Sequence, residues 1–561
     1  MPVQSDLFIS FKHTIDSYPL PDRFTFPFYY QAHPLCRLAI EELQTHLETQ
    51  TQWQHNFGLN EEEKSPAIGK MFGVLLVRNS HNEIGYLAAF SGKVAGSNHL
   101  ENFVPPVFDM LNEDGFFVRG QSDLQQITAH IKLLEQNPKI KQSERALASE
   151  KEAAKQQIQA HRSAMIAGRQ DRKQRRTDAE LTLSTADFLQ LKEQLGKESI
   201  LHKNQLRDLT FYWDEKIKIA QDNLHAITDE LVSLRIKRKE MSAFLQQKLF
   251  DHYRFLNQAG IEKNLCELFD VTPQKIPPAG AGECAAPKLL QYAFLHGFEP
   301  LAMAEFWWGE SPKSQVRQHK NIYAACLGKC QPILAHMLEG IELDDNPLLT
   351  NPAEGKNIEF IYQDDEMVII NKPAEFLSVP GKNIEDSVYT RMKLAFPYAT
   401  GPLIVHRLDM STSGLMVIAL NKQSHNKLQK QFINRTVKKR YIALLDGLLS
   451  KQEGCINLPL RVDLDDRPRQ LVCYEYGREA ETTWQLIETK NNRSKVYFYP
   501  KTGRTHQLRM HSAHSSGLNM PIVGDDLYGK KADRLHLHAE SLELHHPVTR
   551  ELMSFKVEAS F

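Results

Sequence analysis

Residues 406–420 read "HRLDMSTSGLMVIAL": a histidine, an arginine and an aspartate with one leucine among them, a short, largely polar stretch ending in glycine, and then an uninterrupted apolar run. The apolar "PLIV" (402–405) stands in front of it. Apolar runs of this length bounded by a small-residue turn predict strand, turn and strand. Asp409 then sits in a mostly apolar neighbourhood, where a carboxyl tends to take up a proton unless a cation is close. Arg407 stands two positions before it in the chain, and Arg504 comes from a later basic segment.

Three other stretches of the same region stand out. "INKPAEFLSVPG" (370–381) follows an apolar strand, "KKRYIALLDG" (438–447) places Tyr441 after a basic cluster, and "PKTGRTHQLRMHSAH" (500–514) begins at a glycine turn. A Ser-His-Asp triad built from Ser411 or Ser413, a histidine and Asp409 lacks the G-x-S-x-G elbow. His506, His511 and His514 lack H-E-x-x-H spacing and lie among arginines that would repel a cation. There is no G-x-x-x-x-G-K-[ST] loop for a nucleotide phosphate. An ionised carboxylate beside a flat aromatic ring suits chemistry at a sugar carbon while a planar base is held by stacking.

The 406–414 stretch resembles the signature of the RluA family of RNA pseudouridine synthases, H-R-L-D, two residues, T-S-G. The other three segments resemble the same family in the same order, so the resemblance covers about residues 357–561. The stretch "LPLRVDLDDRPRQLVCYEYGREAETTWQLIE" is most similar to the RluA subgroup, which acts on 23S rRNA and on tRNA. The resemblance implies that Asp409 is the catalytic aspartate. It also implies that Tyr441 stacks on the target base and assists proton removal from C5, that Arg504 pairs with the aspartate, and that Arg407 takes part in base flipping. Leu508 falls at the apolar position lining the pocket. Lys439, Arg440 and Arg509 are the expected substrate-binding cations. No metal and no organic cofactor is implied. His406 reads as a structural strand-end residue.

"NRTVKKR" (434–440) and "RVDLDDRPR" (461–469) bring cations around the expected pocket, enough for salt-sensitive phosphate contacts. Reaching a paired uridine requires flipping it, at a cost of a few kcal/mol that a loop reduces, so the expected partner is an rRNA or tRNA stem-loop. Neither DNA nor a membrane is expected as a partner, and the sequence leaves the oligomeric state open. A coiled-coil scaffold or non-catalytic RNA binder derived from such an enzyme is the alternative reading.

The rest of the 561 residues has a different texture. Lys plus Arg (68) nearly cancel Asp plus Glu (69), so nucleic-acid binding must come from local patches. There is no signal-peptide pattern and no apolar run long enough to span a bilayer, and seven cysteines without dense pairing fit a reducing compartment, the cytoplasm. Residues 1–120 predict a small accessory domain with two or three strands, of α/β or α+β kind. Residues 121–256, rich in Lys, Glu, Gln, Ala and Leu and nearly free of proline after Pro138, predict a helical coiled-coil arm. Its hairpin tip is expected at "AGRQDRKQRRTD" (167–178), and Ser184 is expected to cap the following helix. Residues 257–350 read as an accessory segment packing with the N-terminal unit, and 357–561 as the catalytic domain, an α+β unit with a mixed, largely antiparallel sheet and peripheral helices. Many members of the family carry an N-terminal S4 module, and no such pattern is present here. Cys284, Cys326 and Cys330 invite a metal reading with a fourth ligand from His319, His336 or Cys266, yet the spacing is not C-x-x-C and buried thiols commonly serve as small apolar residues.

Overall fold

The computed structural model describes residues 7–60, 66–273, 275–464 and 466–561. The chain divides into two compact units, Met1–Asp109 with Phe250–Phe561, and Met110–Leu249. The first unit opens with β1 (Ile9–Ser10), α1 (Pro34–Thr49), β2 (Lys70–Arg78) and β3 (Ile84–Phe90). Pro34 occupies the first turn of α1, where its missing N–H costs nothing.

The second unit is built from α2 (Phe116–Glu135), α3 (Pro138–Thr182) and α4 (Thr185–His252). At 1.5 Å per residue, the 68 residues of α4 span roughly 100 Å. Thr128 and Glu135 of α2 meet Arg238 and Arg235, while His161 and Arg175 of α3 meet His202 and Glu198. Partners descend along α4 as they ascend along α2 and α3, so the helices run antiparallel to it. The reversal falls at Leu183–Ser184, with the Ser184 hydroxyl accepting from the Asp187 N–H. This corrects the expected tip: Gly168 and the basic cluster lie inside α3. A single glycine costs a helix only about 1 kcal/mol, too little to end one 45 residues long.

The chain then returns to the first unit through β4 (Arg254–Leu256), β5 (Glu262–Asn264), α5 (Leu265–Asp270), α6 (Ala285–Leu295), β6 (Glu299–Trp308), β7 (Ile322–Tyr323) and α7 (Gln331–Met337). The first sheet has the order β1-β3-β2-β6-β7. Every pairing in it is antiparallel. The sheet is therefore of the α+β kind rather than α/β, and its β6 comes from the far side of the helical insertion. Phe72, Phe90, Phe103 and Phe306 pack their rings together over α1.

The remaining elements are β8 (Glu359–Gln363), β9 (Met367–Lys372), α8 (Val388–Ala395), β10 (Ser413–Ala419), α9 (Lys422–Ile433), β11 (Lys438–Leu445), β12 (Glu453–Asn457), β13 (Leu460–Val462), β14 (Gln470–Val472), β15 (Glu481–Lys490), β16 (Arg493–Pro500), α10 (Gln507–Ala513), β17 (Leu537–His545) and β18 (Leu552–Lys556). They form a mixed sheet in the order β12-β15-β16-β11-β17-β10-β9-β8, with β18 also on β17. Its one parallel pairing, β10 with β17, lies at the centre. β13 and β14 make a separate hairpin.

The two sheets are joined by the segment between β6 and β7. Val316 is buried in the same apolar cluster as Val472, Leu508 and Tyr528. Ser314 O accepts from the Val472 N–H, His514 Nε2 contacts Lys313 O at 3.0 Å, and Arg317 forms a half-buried ion pair with Asp466 at 2.6 Å. The accessory sheet thus supplies part of the core beneath the β13–β14 hairpin.

Candidate active site

The 406–414 stretch forms the predicted turn, closed by a hydrogen bond from Thr412 N–H to Asp409 O. Segment 370–381 holds this turn in place. Lys372, with 0% of its surface exposed, donates from Nζ to Pro373 O, Phe376 O and Met410 O at 2.8–3.0 Å. An ammonium has three donors, and here each has a carbonyl. Burial pushes the Lys372 amine down to about 7, with the charges of Glu375 and Asp409 pulling the other way. Ser378 Oγ donates to Leu408 O and accepts from the Leu408 N–H, and the Phe376 N–H donates to Met410 O. Lys372 and Ser378 had no assigned role in the sequence; the signal was a lysine closing the apolar strand "MVIINK".

After the turn the chain enters β10, whose second residue, Gly414, has φ +119°. A Cβ there would lie 2.4 Å from Ala539 O of β17, so only glycine lets the two strands pair in parallel at this point. Gly414→Ala is expected to lower unfolding free energy by more than about 2 kcal/mol, read as a shifted urea midpoint with an unchanged slope. His406 accepts the Val417 N–H on Nε2 and stacks on Phe432 at 4.6 Å. Burial pushes it down to about 3, which keeps the ring neutral.

Asp409 opens onto a cleft of about 550 Å³ whose walls include Arg407, Lys439, Tyr441, Arg461, Tyr476, Arg478, Arg504, Leu508 and Arg509. The side chains of Lys439 and Tyr441 reach it from one face of β11, as residues two apart on a strand do. Tyr441 touches the apolar clusters on both sides of the cleft. Burial, with a further contribution from Asp409, raises its phenol well above the ordinary range, which keeps the hydroxyl protonated. Arg440 turns to the opposite face: its Nε donates to Glu540 at 2.8 Å and its guanidinium lies over the Tyr497 ring at 4.4 Å. It does not line the cleft, a correction to its expected substrate-binding role.

The 500–514 segment forms the opposite wall. His506 begins α10 in the left-handed region with φ +53°, and Gln507 gathers the preceding loop by accepting from Thr502 Oγ1 and Arg504 N–H. Arg504 is half-buried, and its Nε donates to Glu479 O at 2.9 Å. Among the described residues it makes no ion pair with Asp409 within 4.0 Å. Arg407 is exposed on the rim, where Nη2 donates to Thr505 Oγ1 at 3.3 Å.

Arg509 departs further from expectation. It is 3% exposed, and Nε and Nη2 donate to both oxygens of Asp525 at 2.8 and 2.6 Å, with Asp526 a further acceptor at 3.0 Å. Burial disfavours its charge, but the two aspartates outweigh that and raise its pKa. These donors are occupied, so Arg509 acts as a fixed positive charge in the cleft floor whose field reaches Asp409, rather than as a free phosphate contact. Likewise Arg469, expected at the RNA surface, lies partly buried between Tyr323 and Tyr528 and is paired with Asp466. Arg461 and Arg478 do reach the cleft, and Arg461 lies 5.9 Å from the Tyr476 ring.

The arrangement is a carboxylate and a protonated phenol side by side, ringed by cations, in a cleft large enough for a nucleotide. The family pattern described as RNA pseudouridylate synthase matches residues 366–514. The dual-specificity RNA pseudouridine synthase RluA of Haemophilus ducreyi is 46% identical over 222 residues, which cover 38% of this chain and 97% of that protein. The protein of the same name from Escherichia coli is 43% identical over 219 residues, again 38% of this chain and 97% of that one. Human RNA pseudouridylate synthase domain containing 1, a solved structure, is 27% identical with a TM-score of 0.32, covering 38% of this chain and 87% of that one. The family pattern and the two bacterial relatives place this part of the chain among RNA-uridine isomerases. The chain belongs to the RluA family of RNA pseudouridine synthases, joined to an N-terminal extension that these relatives do not cover.

Proposed function

We propose that the chain isomerises uridines in a 23S rRNA or tRNA stem-loop, and that Asp409 is the group that carries the chemistry. The observation that carries this reading is the meeting of Asp409 and Tyr441 in one cleft lined by three of the four motifs, with the fourth, 370–381, bracing the turn that carries Asp409. The names of the two bacterial relatives, both dual-specificity enzymes, favour more than one RNA target. Asp409 acts on the uridine C1′ or on the uracil ring, the N1–C1′ bond breaks, the base turns and C5 bonds to C1′. The C5 proton leaves and N1 gains one, so reactant and product have the same atoms and no electrons are exchanged. Tyr441 stacks on the base, Leu508 closes the apolar side, Arg407 and Lys439 hold the flipped strand, and Arg504 moves from Glu479 O toward Asp409 when RNA fills the cleft. The expected place of action is the cytoplasm, and among the described residues no helix is long and apolar enough to cross a membrane.

Mapping of pseudouridines in rRNA and tRNA from cells lacking the protein tests this directly: one or more sites should be lost and return with the wild-type gene. An unchanged map would remove these RNAs as substrates.

Tyr441→Phe separates the stacking of the ring from the contribution of its hydroxyl. The phenyl ring preserves stacking, so RNA affinity should hold within about 0.5 kcal/mol while the rate falls. Tyr441→Ala should weaken binding by about 1–3 kcal/mol, measured by filter binding.

The helical unit is proposed to grip RNA. Arg169, Lys173 and Arg176 are exposed on α3, whereas Arg175 is tied to Asp171 and Glu198. Replacing the three exposed cations with glutamine should reduce the slope of log affinity against log salt by about one per lost phosphate contact. An unchanged slope would exclude the gripping role.

A further inference from the structure

Three cysteines from two segments converge in the accessory half. Cys284 ends the glycine-rich loop before α6, Cys326 follows β7 and Cys330 caps α7. Their sulfurs all lie within 4.8 Å of one another, and those of Cys326 and Cys330 are 3.5 Å apart. A tetrahedral zinc site with Zn–S bonds of about 2.3 Å places its sulfurs roughly 3.8 Å from one another, so small side-chain adjustments suffice to seat an ion. Three thiols cannot be satisfied by one disulfide. Soft sulfur donors in a shielded place select zinc over magnesium or calcium. The Cys326 sulfur also receives the backbone N–H groups of Lys329 and Cys330, which fix its position in the cluster. Two histidines considered from the sequence are engaged elsewhere: His319 Nδ1 accepts the Gly309 N–H, and His336 Nε2 contacts Phe255 O and Ile261 O.

We propose that Cys284, Cys326 and Cys330 form a three-thiolate zinc site with water completing the coordination, and that its role is structural. The ion ties the loop before α6 to the chain between β7 and α7. Just before this chain lies Tyr323, whose ring is covered by Arg317 and Arg469, the two arginines that hold Asp466 at the tip of the β13–β14 hairpin. That hairpin lines the cleft through Leu460, Arg461 and Val462. The metal therefore steadies the accessory segment against one wall of the RNA site without touching substrate.

The test uses the full-length protein, purified under reducing conditions from zinc-supplemented cells. Elemental analysis should find about one zinc per chain, cobalt(II) exchange should give the near-ultraviolet thiolate-to-cobalt charge-transfer band, and chelation should lower the unfolding temperature. Cys326→Ser and Cys330→Ser should each reduce metal content to below about a tenth of wild type, while Cys455→Ser, at an exposed thiol elsewhere, should retain it. Because the cobalt measurement is made on wild type, the outcome does not depend on the variants folding. Wild-type protein carrying less than about a tenth of an equivalent of zinc and giving no thiolate band would overturn the site. So would a Cys326–Cys330 disulfide.

Discussion

Asp409→Asn is expected to fold and to bind RNA as the wild type does, yet to form pseudouridine more slowly by a factor on the order of 10⁴ or more. The turn that presents the residue is held through its backbone, by Lys372, Phe376, Ser378 and Thr412, so an isosteric change leaves the scaffold intact. The amide is neutral and a poor nucleophile, so it supplies neither the bond nor the charge that the proposed reaction asks of Asp409. Cations in the cleft floor and beneath the turn, Arg509 and Lys372, would then face an uncharged group. Single-turnover conversion measured by mass spectrometry, with binding measured separately, distinguishes loss of rate from loss of affinity. Equal falls in both would mean that Asp409 contributes binding and not chemistry.

The second large effect is expected at Asp525, which touches no part of the proposed substrate path. It is 0% exposed and accepts two hydrogen bonds from Arg509 as well as the N–H groups of Leu527 and Tyr528. Removing one partner of a buried pair strands the other charge, at a cost of about 3–5 kcal/mol. Asp525→Asn should therefore lower the unfolding free energy by that amount and displace Arg509 from beneath the cleft. The pair also sets an acid limit. Burial raises the Asp525 pKa, but Arg509 and the hydrogen bonds outweigh it, leaving the folded value below the ordinary carboxylate range. A group depressed in this way contributes stability above its unfolded pKa, near 3.9, and loses it as pH falls through the folded value. Denaturant melts of wild type should thus steepen in their pH dependence below about pH 4, and Asp525→Asn should flatten that region.

The sequence was informative where a local rule acts. "EMVIINKP", "LMVIAL", "RYIALLDG", "TTWQLIE" and "SKVYFYP" all coincide with strands, because β-branched and aromatic runs bounded by turns have few other uses. Two central strands were not read. β17, "LHAESLELH", carries polar residues at buried positions, and these are satisfied only across strands: His538 by Ser413 and Glu540 by Arg440. β6 contains Pro300, which argues against a central strand, yet it lies at the register shift opposite Leu76 and Val77 where a ladder bond is already lost. The site was similarly divided. Asp409, Tyr441 and Leu508 reach the cleft from positions that the motifs mark. Which arginines are free could not be read, since that depends on partners distant in sequence: Asp525 for Arg509, Glu540 for Arg440 and Asp466 for Arg469.

Tritium release from 5-tritiated 23S rRNA and tRNA is the most direct test of the central claim, because tritium leaves C5 only when the new glycosidic bond forms there. The full-length wild type should release tritium to a fixed stoichiometry per RNA, and Asp409→Asn should release none above background. Undiminished release by Asp409→Asn, or none by the wild type on either RNA, would contradict the account.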